Sequence, residues 1–173
     1  MIKKALLIID MLNDFIRENG KLYIGDGGGK IISPIQQELE KFREEKSPVF
    51  YICDCHRPDD KEFNLFPPHC LSGTEGANII EELKPSEDDF IIHKRRYSGF
   101  FQTDLDVTLR EEGIMELELV GVCTNICVLY TAASARMLNY RVTVVKDAVA
   151  SFDQEAHDFA LRQMKDVLGV EIR

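Results

Sequence analysis

The sequence predicts an α/β fold: a single doubly wound domain on a mostly parallel five- or six-stranded sheet, with helices on both faces. Two observations carry this. Short, almost continuously apolar runs alternate with longer stretches of helical periodicity, and strands without a polar face mark a parallel sheet buried on both sides. The 173 residues also contain no linker, internal repeat or low-complexity stretch. One domain over 1–173 follows, large enough for a core without disulfide staples.

The elements fall in a clear order. Residues 5–9 read as the first strand, and 33–46 as a helix bounded by Pro34 at its start and Ser47-Pro48 at its end. Residues 49–53, 90–92, 117–122 and 142–145 are the next strands, and 170–172 a last edge strand. Helices are expected near 103–112, 125–138 and 154–168, with right-handed crossovers between parallel strands. The segment 56–76, rich in Pro, Asp and Gly, is the exception, and long irregular loops of this kind often carry function.

Composition narrows the setting. Hydrophobic residues make up 45% of the chain, yet no apolar run approaches the roughly 20 residues of a membrane span. A formal charge of −9 argues against nucleic acid or an anionic membrane as partner, because phosphate binding needs clustered Lys and Arg. The first four residues run straight into a strand, so no signal peptide is expected. Five cysteines, an odd number on strands and turns, suit reduced thiols in a cytoplasm better than a disulfide framework. A homo-oligomer stays open.

The chemistry concentrates at Gly121-Val122-Cys123-Thr124-Asn125-Ile126-Cys127, which reads as strand, tight turn and helix. With Thr124 as N-cap, Cys127 falls in the first helical turn, where unpaired N–H groups and the macrodipole lower a thiol pKa. The competing reading is a small hydrophobe packed in the core. The strand ends weigh between the two. The first strand ends in Asp10, the second in Asp54, the third in His93-Lys94, the fourth in the cysteine turn and the fifth in Asp147. In an open parallel sheet these ends share one rim, where ligands bind at the switch point. Asp10 could act as general base, Lys94 could stabilise charged partners, and backbone N–H groups of Cys123 and Cys127 could form an oxyanion hole. Taken singly, Asp10 is a turn cap and Lys94 a solvated charge.

A second constellation follows the second strand: Cys53-Asp54-Cys55-His56, then Glu62, then His69-Cys70. Strand side chains alternate, so Asp54 and His56 share one side and Cys53 and Cys55 the other. Asp54, His56, Glu62 and His69 would make an open nitrogen and oxygen site for zinc, manganese or iron. Cys53, Cys55 and Cys70 would make a thiolate site. The first is preferred because Cys53 ends a strand with both faces buried; a polar loop without metal is the third option. Residues 25–30, Gly-Asp-Gly-Gly-Gly-Lys, resemble a phosphate loop but lack the Ser or Thr at position 31 and follow no strand, so they read as a flexible turn. The acidic clusters at 81–82 and 87–89 read as solvated faces.

Three stretches in order, Leu7-Ile8-Ile9-Asp10-Met11-Leu12-Asn13-Asp14-Phe15, Lys94 with Tyr97-Ser98-Gly99-Phe100, and Gly121 to Cys127, resemble the isochorismatase-like cysteine hydrolases over nearly the whole chain. Asp54-x-His56 and Phe66-Pro67-Pro68-His69-Cys70 are similar to the metal and pocket motif of nicotinamidases within that superfamily. The resemblance implies the isochorismatase-like hydrolase fold and a catalytic triad of Asp10, Lys94 and Cys127. It also implies one divalent metal, zinc first, on Asp54, His56 and His69, with Glu62 as a further ligand found in part of the family. Phe15, Phe66 and Tyr97 match aromatic positions around the substrate ring. A cis peptide at Val122–Cys123 would aim the Cys123 and Cys127 N–H groups at the oxyanion. Leu12 departs from the Gln of many relatives, Phe66 from the Trp of many nicotinamidases, and the connection from Lys94 to Tyr97 is short. The implied activity is hydrolysis of nicotinamide to nicotinate and ammonia through a Cys thioester, in NAD salvage. A superfamily amidohydrolase for another small amide or ureido compound is the alternative, and a catalytically silent metal-binding module a third.

Overall fold

The computed structural model describes residues 3–173; Met1 and Ile2, the start of the stretch expected to lack a leader, lie outside them. β1 (Lys3–Ile9) is followed by α1 (Asn13–Ile16), α2 (Asp26–Lys30) and α3 (Ile32–Glu44). β2 (Val49–Asp54) leads through the long loop, with short 3₁₀ turns at Lys61–Asn64, Glu75–Ala77 and Glu81–Leu83, to β3 (Phe90–Lys94). Then come α4 (Leu105–Glu111), β4 (Ile114–Val122), a wide π-helical turn (Thr124–Val128), α5 (Leu129–Met137), β5 (Arg141–Ala150), α6 (Gln154–Asp166) and β6 (Glu171–Ile172). The six strands are all parallel, in the order β3-β2-β1-β4-β5-β6. The sheet thus has the predicted class, with six strands rather than five. No helix among the described residues is long and apolar enough to cross a membrane.

Alternation along β1 builds both cores. Leu6 and Ile8 face one layer, where Ile35, Leu39 and Phe42 of α3 close over Tyr51 and Val120. Ala5, Leu7 and Ile9 face the other, against Leu105 and Leu109 of α4, Ala132 and Ala135 of α5 and Met164 of α6. The α3 residues recur at helical spacing, so one apolar stripe is buried and the charged face stays wet. Small residues on α5 let that helix approach the sheet closely, which matters because α5 continues the cysteine turn.

The strand order reverses between β1 and β4, and this opens the crevice at their carboxyl ends. Two backbone features shape it. Gly121 has φ +112°, and a Cβ there would lie 2.1 Å from the Ile9 carbonyl oxygen. Only glycine permits so close an approach of β4 to β1. Asp10 has φ +52°, a left-handed conformation that Asp tolerates better than most residues and that turns its side chain into the crevice.

Four expectations change. Residues 25–30 contain the short helix α2 instead of a flexible turn, with Gly28 buried where a Cβ would crowd Ile16 and Ile24. Asp147 is not a strand end: β5 bulges and runs on to Ala150, leaving Asp147 exposed and away from the crevice. Thr124 is not an N-cap; Cys123 holds that position, and the buried Thr124 hydroxyl instead meets His157 Nδ1 at 2.8 Å. The acidic clusters are not simply solvated, since Glu82 pairs with Arg17, and Asp89 with Arg43.

Glu118 on β4 lies beside Glu38 of α3, with Arg173 Nη2 between them at 2.7 and 3.0 Å. Burial, and then the Glu38 carboxyl, push Glu118 up to about 7 from an ordinary 4.5. The folded state therefore holds a proton that the unfolded chain releases, and stability is lost as pH rises between those values. Glu118→Gln, which imitates the protonated acid, should be more stable than the parent at pH 8 by on the order of 1 kcal/mol, with the advantage shrinking towards pH 5. Urea unfolding at both pH values checks this; an equal advantage at both would contradict it.

Candidate active site and metal centre

Asp10, Asp54, Lys94 and the cysteine turn converge at the carboxyl ends of β1, β2, β3 and β4. The Lys94 ammonium is the hub. It lies 2.8 Å from Asp10 Oδ2, in direct contact with Asp54 Oδ1, and 3.4 Å from Cys127 Sγ. Exposures of 1% for Asp10, 4% for Asp54, 1% for Lys94 and 7% for Cys127 leave almost no water to screen these charges. Asp10 Oδ1 also accepts the Asp54 N–H at 2.8 Å, which ties the ends of β1 and β2. His93, by contrast, points outward and is exposed.

Burial is the largest influence on the crevice acids. It pushes Asp10 up to about 6, helped by Asp54 and opposed by Lys94. For Asp54 burial also acts upward, but the Lys94 ammonium and the nearby His56 and His69 imidazoles outweigh it and hold this carboxylate low. The first-turn position of Cys127 was expected to lower its pKa. Instead burial drives the thiol well above its ordinary range, with Lys94 opposing. Its sulfur and one oxygen each of Asp10 and Asp54 lie within 4.8 Å of one another.

The turn holding Cys127 is fixed from several sides. The Val122–Cys123 peptide is cis, where the resemblance implies it. The N–H groups of Ile126 and Val128 both donate to the Cys123 carbonyl, at 3.0 and 3.2 Å. The Ser151 hydroxyl donates to Asn125 Oδ1 at 2.6 Å, anchoring the turn to the end of β5. Cys123 is buried at the wall of the crevice, and burial pushes its thiol up to about 12.

Asp54, His56, Glu62 and His69 form the second cluster. One donor atom from each falls within 4.8 Å of the others, and all four are buried. The long loop reaches this position because His56 N–H donates to the Cys70 carbonyl and Ser72 N–H to the His56 carbonyl, both at 2.9 Å. The Asp14 carboxylate accepts the N–H groups of Cys70 and Lys21, at 2.7 and 3.0 Å, pinning the loop to α1. The cluster has the chemistry of a cation site. His56 Nε2 and Glu62 Oε2 are buried without a partner, while His69 Nδ1–H donates to the Pro67 carbonyl at 2.8 Å and leaves Nε2 towards Asp54. Asp10, Asp54, Asp60 and Glu62 also outnumber Lys94, Arg95 and Arg96. Among the described residues Cys53, Cys55 and Cys70 form no comparable group, because Cys53 and Cys70 pack into the core.

One cleft joins the clusters. Its walls include Phe15, Phe66, Tyr97, Asp10, Cys127 and His69. The ring centroid of Phe15 lies 5.4 Å from that of His69, and Phe66 stands edge-on to Tyr97 at 6.5 Å. Sequence reasoning missed Leu22, Ile24, Ile126 and Phe152 along the same walls. It also missed Asp60, which bonds His56, and Phe63, whose ring packs edge-on against His56. Asp60 left a faint signal, since Arg95-Arg96 after Lys94 supply a countercharge that needs an acid on this rim.

The Isochorismatase domain family matches residues 4–172. Nicotinamidase/pyrazinamidase PncA from Bacillus subtilis superposes with a TM-score of 0.94 at 39% identity, over 99% of both chains. N-carbamoylsarcosine amidase from Thermoplasma acidophilum gives 0.90 at 38%, over 99% of this chain and 96% of that one. Pyrazinamidase of Pyrococcus horikoshii, in complex with zinc, gives 0.92 at 32%, over 99% of this chain and 98% of the other. A six-stranded parallel sheet with this crevice, and a domain match over nearly the whole length, place the chain in one group: it belongs to the isochorismatase family.

Proposed function

We propose that the chain is a cysteine amidohydrolase that deamidates nicotinamide to nicotinate and ammonia, a step of NAD salvage. The observation that carries this is one shared cleft: the Asp10, Lys94 and Cys127 group opens onto it through Asp10 and Cys127, and the buried cluster of Asp54, His56, Glu62 and His69 through Asp54, Glu62 and His69. A flat aromatic amide fits such a cleft, its ring among Phe15, Phe66 and Tyr97 and its carboxamide over Cys127.

In this mechanism Asp10 takes the Cys127 proton as Sγ attacks the carbonyl carbon. Lys94 remains an ammonium and keeps the Asp10 and Asp54 carboxylates tolerable in the dry crevice. The Cys123 and Cys127 N–H groups hold the tetrahedral oxyanion. Asp10 returns the proton to the departing nitrogen as the C–N bond breaks, leaving a thioester and ammonia. A water, deprotonated by Asp10, then displaces Cys127 and releases the acid. A divalent ion on Asp54, His56, His69 and Glu62, zinc first and manganese or iron as alternatives, would supply a Lewis-acid contact for the pyridine nitrogen.

The similarity to N-carbamoylsarcosine amidase, nearly as high in identity, keeps a second reading in view: the same triad acting on another small amide or ureido compound. The cation-type cluster beside the aromatic walls of the shared cleft favours the ring-nitrogen substrate.

Ammonia release from nicotinamide, pyrazinamide and N-carbamoylsarcosine separates the readings. The first two are expected to turn over; silence on both with hydrolysis of the third would favour the second reading. Cys127→Ala should reduce turnover by about 10³-fold or more with unchanged circular dichroism, and surviving turnover would remove Cys127 as nucleophile. Chelation should raise KM while the fold is kept, whereas global unfolding would point to a structural ion.

A further inference from the structure

Asp60 is not among the four residues that face the cation cluster, yet its carboxylate is fully buried and makes contacts in three directions. Oδ1 accepts the Glu62 N–H at 3.1 Å and Arg96 Nη1 at 2.9 Å. Oδ2 accepts His56 Nδ1–H at 3.2 Å and Arg95 Nε at 3.0 Å. Capping the four-residue turn Lys61–Asn64 needs only one of these bonds. The others join the extension of β2, the turn carrying Glu62 and the segment after β3.

We propose that Asp60 is a positioning residue for the metal centre: it fixes the tautomer of His56 and the placement of Glu62 together, so that both present free lone pairs to one cation. This rests on the metal-centre reading above. With Nδ1 held as a donor, the His56 lone pair sits on Nε2, the atom left without a partner in the cluster. A carboxylate behind a ligating imidazole orients the ring and raises its basicity. Both oxygens of Asp60 are engaged, so the residue does not compete for the ion itself. Arg95 and Arg96 keep it charged, and Arg96 Nη1 reaches within 3.8 Å of Glu62 Oε2, close enough to limit where that carboxylate swings.

The test is zinc affinity of the full chain, stripped of metal and titrated against a chromophoric chelator, for the parent, Asp60→Ala and Asp60→Asn. Asp60→Ala is expected to weaken binding about 10- to 100-fold. Asp60→Asn keeps the cap through its one carbonyl oxygen but turns an amide NH2, a donor, towards His56 Nδ1, so it should keep the turn and still lose zinc affinity. ¹⁵N spectra of metal-free protein should show His56 protonated on Nδ1 in the parent and as a mixture in Asp60→Ala, a change that a cap alone would not cause. The loss should persist at 0.5 M salt; one that vanishes there reflects the released arginine charges and overturns the assignment. Equal zinc affinity in the parent and Asp60→Asn, the variant most secure in folding, also overturns it. A parent that binds no zinc removes the metal-centre reading and this proposal together, whereas a parent that binds zinc no better than Asp60→Ala removes only the proposal.

Discussion

The ammonium of Lys94 is the interaction on which the crevice depends. It is buried with Asp10 on one side, Asp54 on another and the Cys127 sulfur on a third. An isolated charge would not stay in such a place, and two facing carboxylates would not both ionise there without it. Removing the ammonium would leave buried anions unpaired, a far larger cost than the net worth of the pair. The same arithmetic leaves a surplus of negative charge, because Lys94, Arg95 and Arg96 stand against Asp10, Asp54, Asp60 and Glu62. Burial, then Asp54, raise the Glu62 carboxyl above its ordinary range. A divalent cation among Asp54, His56, Glu62 and His69 answers that imbalance. The proposed reaction centre and the proposed metal centre are therefore one electrostatic system that shares Asp54.

The sheet makes this convergence possible. Four parallel strands deliver their ends to one rim, and the reversal of order between β1 and β4 leaves a gap there that no crossover covers. Backbone detail turns the gap into a site. Gly121 lets β4 press against Ile9, and the left-handed Asp10 swings its carboxylate inward. The wide turn after Cys123 then presents Cys127 to the same point, held by Asn125 and Ser151. The loop 56–76 is long because it has to return from the end of β2 and cover the crevice, pinned by His56 and by the buried Asp14.

The thiol shows how packing alters a local argument. A cysteine in a first helical turn, judged from its neighbours alone, is an activated thiolate. In the fold the same residue lies beneath aromatic side chains and beside two carboxylates, and desolvation exceeds the help from Lys94. In the proposed mechanism activation then passes from the helix terminus to Asp10, which burial has already pushed up to about 6 and thereby made a better proton acceptor. The electrostatics thus fit a base that works in concert with attack better than a standing thiolate.

Strand-end chemistry was legible in the chain because strands are short, parallel and apolar: a polar residue at the end of each run has only the rim to occupy. Asp10, Asp54, Lys94 and Cys127 stand out for that reason, as does the spacing of Asp54 and His56 on one side of β2. The resemblance to a family then supplied roles that periodicity alone could not. Other features depend on contacts between segments far apart in sequence. Asp60 meets residues near 95, Thr124 meets His157, and Leu22, Ile24 and Phe152 reach the cleft from opposite ends of the chain. Residues 25–30 look like a turn yet hold the short helix α2 with Gly28 buried beside Ile16 and Ile24, and Asp147 looks like a strand end until β5 bulges past it. The sequence by itself determined which residues could bear charge or metal and on which strand each would ride, since alternation and helical period are local properties. Only the tertiary structure decided how those groups titrate and which neighbours orient them, because desolvation and hydrogen-bond partners come from the whole fold.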